Sequence, residues 1–236
     1  MGDDTIFIDG VEFSSDKKIL IKFPQDSKLT EYVIPDGVLE IGEGAFRACK
    51  SLESVIISNE VTRIGTLAFE LCSCLKSIII PKQIMEIGDW AFFSCISLES
   101  IKLPDNMTSI GENAFCGCES LESVIVPENI EVIRLGTFSG CKNLKSVILS
   151  TTITKICDGA FDGCESLEKI VIPEKVKQIN DWAFAECINL KTIVIPNSME
   201  KISQYAFDAC PCEEQLKNDY PDLFVDNLDE DDFYEE

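Results

Sequence analysis

With 236 residues, 45% of them hydrophobic, the chain is long enough to bury a sizeable core. Lys and Arg total 20 against 42 Asp and Glu, a formal net charge of -22, and such an excess repels phosphate backbones and anionic lipid, setting nucleic acid and acidic membranes aside as partners. There is no histidine, which removes Ser-His-Asp triads, Cys-His dyads, HExxH zinc sites and His-ligated haem together.

The opening MGDDTIFIDG lacks the basic start and continuous apolar core of a secretory signal, and no run of 18 apolar residues predicts a membrane span. Gly2 begins a myristoylation-like start, but Ile6 stands where that motif needs Ser or Thr. On this evidence the chain is expected to be cytosolic, or secreted by a route its sequence does not declare. Residues 1–31 hold strand-like pieces at Thr5 to Ile8 and Lys18 to Phe23, joined through Ser14, Ser15 and Asp16. They precede a long repeat, whose open end needs its core side chains and backbone groups covered, so this segment is expected to be an N-terminal cap.

From residue 32 to 210 the chain repeats itself every 23 residues without insertion or deletion. Seven complete copies and a truncated eighth begin at Tyr32, Val55, Ile78, Ile101, Val124, Val147, Ile170 and Ile193. A fixed period of about 20 to 29 residues with leucine-like positions in register predicts a β-rich leucine-rich-repeat solenoid. In each copy a strand such as Leu52 to Ile57 turns Leu52, Val55 and Ile57 inward. Pro35, Pro81, Pro104, Pro127, Pro173 and Pro196 end their strands, because proline cannot donate to a continuing ladder. A second extended stretch follows, with Val61 and Ile64 inward, then Gly65 at an expected tight bend and a short helical or 3₁₀ turn carrying Ala68 and Phe69. Gly gives way to Arg134, Cys157, Asn180 and Ser203 in the last four copies, where the bend is expected to differ. Phe46 and its seven equivalents at the same spacing predict a stacked core column with no cofactor in it.

Residues 211–224 are expected to form a C-terminal cap with a short helix, Glu213 and Glu214 lying at its positive end. Residues 225–236 form an acidic tail of disordered composition, whose Phe233 and Tyr234 suit either a solubilising end or a short docking segment.

The motif I-P-x-x-V-x-x-I-G-x-x-A-F-x-x-C-x-x-L over residues 32–210 resembles the BspA-like leucine-rich repeat, and residues 1–31 and 211–224 look like the ends of that family. The resemblance implies a non-enzymatic protein-binding module, of a kind associated with bacterial surface proteins and protist surface antigens and with adhesion to matrix proteins and cells.

Eight of the 12 cysteines, from Cys49 to Cys210, recur at the repeat period and are expected to stack about 4.8 Å apart. Reduced structural thiols fit a buried column best, beside inter-repeat disulfides and soft-metal binding as alternatives. Cys74, Cys116, Cys157 and Cys212 fall outside it, and without a C-x-x-C knuckle or histidine they make a weak zinc site. No catalytic, cofactor or metal residue is assigned.

The strand's outward column is Val33, Ile56, Ile79, Lys102, Ile125, Ile148, Val171 and Val194. A solvent-facing position normally alternates to polar, yet seven of these eight are β-branched and apolar. Beside it runs Ser54, Ser77, Ser100, Ser123, Ser146, Lys169 and Thr192. Identical β-branched neighbours pack well along a ladder, which is one explanation; a continuous apolar stripe that holds a protein is the other. The partner is expected to be a matrix or cell-surface protein if the chain is exported and a cytosolic one if it serves as an intracellular scaffold. The sequon Asn106-Met107-Thr108 bears on this only in a secretory pathway.

Overall fold

The computed structural model describes residues 5–226. Gly2 and the tail from Asn227 to Glu236, with Phe233 and Tyr234, lie outside them. The described chain winds as a β-solenoid in which each copy supplies two short strands and a turn-rich third side.

The first strands are Glu31–Val33, Ser54–Ile56, Ser77–Ile79, Ser100–Lys102, Ser123–Ile125, Ser146–Ile148, Lys169–Val171 and Thr192–Val194. Wherever neighbours pair, they pair parallel and in register at the repeat spacing, so Val33 lies opposite Ile56 and Ile125 opposite Ile148. The second strands, Glu40–Ile41, Arg63–Ile64, Glu86–Ile87, Ser109–Ile110, Val132–Ile133, Lys155–Ile156, Gln178–Ile179 and Lys201–Ser203, stack in the same way. Val61 and Ile64 are fully buried, as their inward assignment requires.

The third side differs from the expected helical turn. Leu67 and Leu71 stand at φ of 58° and 60°, in the left-handed region, so no right-handed helix runs through Ala68 and Phe69. The N–H groups there alternate instead. Those of Leu67, Phe69 and Leu71 reach Asp89, Ala91 and Phe93 of the next coil at 2.7–2.9 Å, while Ala68, Glu70 and Cys72 close turns within their own coil. The result is a third inter-coil ladder that satisfies the backbone without β-structure.

The Gly65 column also does other work than bending. Its φ is not left-handed; a Cβ there would lie 2.9 Å from the Ile41 carbonyl oxygen and 3.0 Å from the Glu43 nitrogen. At Gly111 the clearance to the Asp89 nitrogen falls to 2.4 Å. Glycine is present because adjacent coils come too close for a side chain. The second-strand ladder breaks where this column ends: Ser109–Ile110 closes one sheet, and Val132–Ile133, just before Arg134, begins another.

Phe46, Phe69, Phe92, Phe115, Phe138, Phe161, Phe184 and Phe207 are fully buried and stack along the axis, with ring centroids from 4.9 Å apart at Phe46–Phe69 to 5.5 Å at Phe115–Phe138. Near-parallel rings at this spacing add attraction beyond burial.

At the N-terminal end, Thr5–Ile8, Val11–Ser14 and Ile19–Lys22 form an antiparallel meander, the last pairing parallel with Glu40–Ile41. The Val11–Ser14 strand adds to the two expected pieces; Asp9 and Gly10, both at positive φ, make the first hairpin turn. At the other end Glu213–Asp219 is helical with Leu216 buried. Phe224–Val225 then pairs with Lys201–Ser203, so Val225, assigned by composition to the tail, ends a strand opposite Ser203.

Candidate protein-binding face

The first strands of all copies lie side by side on one side of the solenoid. In each, residues such as Val55 and Ile57 enter the core and the residue between them points to solvent. The predicted outward column is exposed throughout: Val33, Ile56, Ile79, Ile125, Ile148, Val171 and Val194 range from 45% accessible at Val194 to 79% at Ile79, and Lys102 interrupts them. Lys102 stands opposite Ile79, and Val171 opposite Val194. The structure thus brings the eight residues into one row.

The row of Ser77, Ser100, Ser123 and Ser146 flanks this stripe as exposed hydroxyls, with Ser54 half-buried. Next to it are acidic and basic side chains from successive coils, joined as Lys76–Glu53 at 2.7 Å and Lys145–Glu122 at 3.1 Å. These pairs are exposed and contribute little stability.

Two features of this face were not legible in the repeat pattern. Its ladder is interrupted between Ser100–Lys102 and Ser123–Ile125, and again between Ser146–Ile148 and Lys169–Val171. Where it opens, core side chains become accessible: Ile101, Val147 and Leu149 are only partly buried. The second opening holds a cleft of about 490 Å³ whose wall includes Ile148, Leu149, Val171 and Pro173, with Lys145 and Lys169 at its rim.

A local departure in the sequence lies at that opening. Copy 6 carries Ser150-Thr151-Thr152 where six copies have proline, and copy 2 carries Ser58. Thr152 Oγ1 donates to the Ile130 carbonyl at 2.8 Å, and Thr151 Oγ1 to Glu128 at 2.9 Å. Ser150, buried, is hydrogen-bonded to Thr152. Ser150 Oγ also lies 3.5 Å from the Ile130 carbonyl, so the hydroxyls of Ser150, Thr151 and Thr152 all reach back to copy 5. Proline is also lost at Ser58, where the ladder stays paired, so the features particular to this opening are the Thr151-Thr152 pair and Lys169 in the serine row.

The thiols are structural in their contacts. All 12 cysteines are free, and the Sγ of Cys72, Cys95, Cys118, Cys141, Cys164, Cys187 and Cys210 each approaches a phenylalanine carbonyl of the preceding coil at 2.9–3.3 Å. Burial pushes the Cys49 and Cys95 thiols up to about 12 and Cys157 up to about 11, which disfavours the thiolate that nucleophilic chemistry needs. Among the described residues no cluster of three or more His, Cys, Asp or Glu could hold a metal ion, and no helix is long and apolar enough to cross a membrane.

Stacked 23-residue coils, a parallel strand face and capped ends define a leucine-rich-repeat solenoid. The chain belongs to the BspA type leucine rich repeat family, whose pattern matches residues 21–145 and 86–214 in 6 copies. It resembles a leucine rich cell surface protein from Faecalibacterium prausnitzii at 29% identity and a TM-score of 0.75, covering 88% of this chain and 68% of that one. A leucine-rich repeat protein from Bacteroides ovatus is 32% identical with a TM-score of 0.75, over 88% of this chain and 55% of its own length. A leucine rich repeat protein of T. pallidum aligns at 26% identity and a TM-score of 0.62, over 92% of this chain and 93% of the other. No curated protein matches the sequence.

Proposed function

We propose that this chain is a non-enzymatic recognition module, used as a surface or secreted adhesin or antigen that holds proteins of host or neighbouring cells along the stripe from Val33 to Val194. The observation that carries the reading is the exposure of seven β-branched apolar side chains in one row, where solvent normally selects polar ones. The F. prausnitzii relative, described as a cell surface protein, supports the location. Burying one exposed isoleucine contributes roughly 1.5–3 kcal/mol before the costs of association, so a few suffice for useful affinity. The charge of -22 adds a preference for basic partner surfaces that weakens with salt.

The test is the triple variant I79S/I125S/I148S. Each change replaces an exposed side chain, so the circular dichroism spectrum and the unfolding midpoint are expected to stay near those of the parent. Capture of solubilised extracellular matrix proteins, or adhesion of cells to coated protein, is expected to be lost. Unchanged capture by the triple variant would leave the stripe as a packing feature only.

A second reading, an intracellular scaffold, is favoured by the thiol column, which uses the reduced form as a hydrogen-bond donor in seven coils. Labelling intact source cells with an impermeant biotin reagent separates the two. Labelling supports the adhesin, whereas protection until lysis moves the search to cytosolic partners of the same face.

A further inference from the structure

The geometry points to the cleft between copies 6 and 7 as an anchor subsite for an extended acidic peptide segment of a partner protein, seating one aromatic or large aliphatic side chain. This rests on the recognition reading of the same face and names the chemistry it selects at one point.

Three observations support it. At this cleft the stripe gains depth: Ile148 and Val171 form its mouth, and the partly uncovered Leu149 and Pro173 extend the apolar surface inward. A flat row of isoleucines offers area, whereas a concave apolar site of several hundred Å³ encloses a side chain and so removes far more of its surface from water. The lining, moreover, reverses the sign of the molecule. In a chain with 42 acidic and 20 basic residues, it holds Lys145 and Lys169 and no carboxylate. Glu122 stands just outside, paired with Lys145 at 3.1 Å, and Glu128 is engaged by Thr151, which leaves Lys169 as the freer cation. An incoming carboxylate meets lysine at the rim while its neighbouring apolar side chain enters the cleft; a basic segment meets repulsion there. Finally, the opening is built by its own residues. The hydroxyl ties of Ser150, Thr151 and Thr152 to copy 5 hold it open from behind, and Lys169 replaces the serine that five other copies carry beside the stripe.

The probe is a fluorescein-labelled synthetic peptide, DEDDFYEE, which has this chemistry and the same sequence as residues 229–236 of the chain. Fluorescence anisotropy is titrated at low salt against the full chain and its variants. Binding is expected for the parent and is expected to weaken about tenfold or more in K145E/K169E, as two attractions become repulsions. Lys169→Ser, which restores the residue of other copies and so folds, should weaken binding severalfold. The variant S150P/T152N restores the common turn and closes the cleft from behind, so it too should lose the peptide. DEDDSSEE, without the aromatic pair, should bind about tenfold more weakly than the parent peptide.

Absence of binding to the parent, or equal binding by K169S and K145E/K169E, overturns the proposal. Equal binding of DEDDSSEE overturns the anchoring role of the apolar cleft. If a chain ending at Asp226 binds the probe at least tenfold more tightly than the full chain, its own final residues occupy the cleft and the partner assignment is wrong. The variant I79S/I125S keeps Ile148 and the cleft. Peptide binding by it alongside lost matrix capture would sustain both readings, while retained capture would sink the stripe and leave the cleft standing.

Discussion

Copies 1–4 and copies 5–8 share a period, a phenylalanine column and a thiol column, yet they are stacked differently at one corner. In the first block Gly42, Gly65, Gly88 and Gly111 let successive coils approach until a Cβ would strike backbone, and their second strands form one sheet with the N-terminal meander. In the second block Arg134, Cys157, Asn180 and Ser203 occupy that corner, and the second strands pair among themselves up to Phe224–Val225. Between the blocks both strand ladders open, and a cleft of about 350 Å³ lined in part by Ile110, Val132 and Arg134 marks the gap. The third side stays closed there: Asn113, Phe115 and Gly117 donate to Leu135, Thr137 and Ser139 at 2.7–2.9 Å. The strand ladders part at this boundary, while the aromatic column and the turn-side ladder carry continuity across it.

Alkaline pH should give the largest effect, because it acts on a column that ignores the block boundary. Burial raises the Cys49 and Cys95 thiols from their ordinary value of 9.0 to about 12. Between those values the folded chain keeps a proton that the unfolded chain has lost, so the stability fully present below pH 9 falls as pH rises toward 12. Each such thiol lowers stability by about 1.4 kcal/mol per pH unit in that window. Urea unfolding under reducing conditions should therefore show a midpoint that collapses above pH 9 in one transition. Two separate transitions would mean that the blocks fold independently and the shared columns do not couple them. Replacing Cys95 by Ala should make the pH slope shallower.

The corner itself gives the next effect. A Cβ on Gly88 would lie 2.6 Å from the Thr66 nitrogen and 2.7 Å from the Gly65 carbonyl carbon, both backbone, so neither can yield cheaply. Gly88→Ala is expected to cost about 1–3 kcal/mol by overpacking. Arg134→Gly should work in the opposite sense. It restores the glycine of the first block and is expected to let Val132–Ile133 pair with Ser109–Ile110, slowing amide hydrogen exchange there. The net gain is expected to be modest, about 0.5–1 kcal/mol, since glycine also costs chain entropy. Unchanged exchange at Val132 and Ile133 would show that Arg134 is not what parts the coils.

These contrasts also explain what the sequence could convey. The phenylalanine and cysteine positions were legible because each is a demand repeated eight times, and proline and the inward aliphatics because they recur in most copies; the exposed stripe followed from a break in strand alternation at Ile56, Ile79 and their equivalents. Glycine was legible as a requirement but assigned to the wrong cause. At Gly65 the constraint is distance to the neighbouring coil, which a single repeat does not contain, while the left-handed residues are Leu67 and Leu71, whose side chains give no hint of it. The cleft escaped for a related reason. It depends on whether the hydroxyls of Thr151 and Thr152 bond to copy 5 or to solvent, a choice made only once the coils are stacked.

The smallest effect expected is at the ion pairs, and it asks whether charge helps to hold the two blocks together. Lys142 and Glu119, 3.0 Å apart, join copies 4 and 5 just after the gap, whereas Lys76 and Glu53 at 2.7 Å join coils inside the first block. All four side chains are about half exposed, where solvent screens the attraction and fixing a long side chain opposes it. Lys142→Ala and Lys76→Ala should each cost no more than about 0.5 kcal/mol, and the difference between them should vanish in 1 M salt, where the screening length is about 3 Å. A cost near 2 kcal/mol at Lys142 alone, abolished by salt, would mean that the coils at the gap rely on this pair. The continuous phenylalanine column, with its rings 5.5 Å apart between Phe115 and Phe138, would then be too weak a connection to account for their coupling.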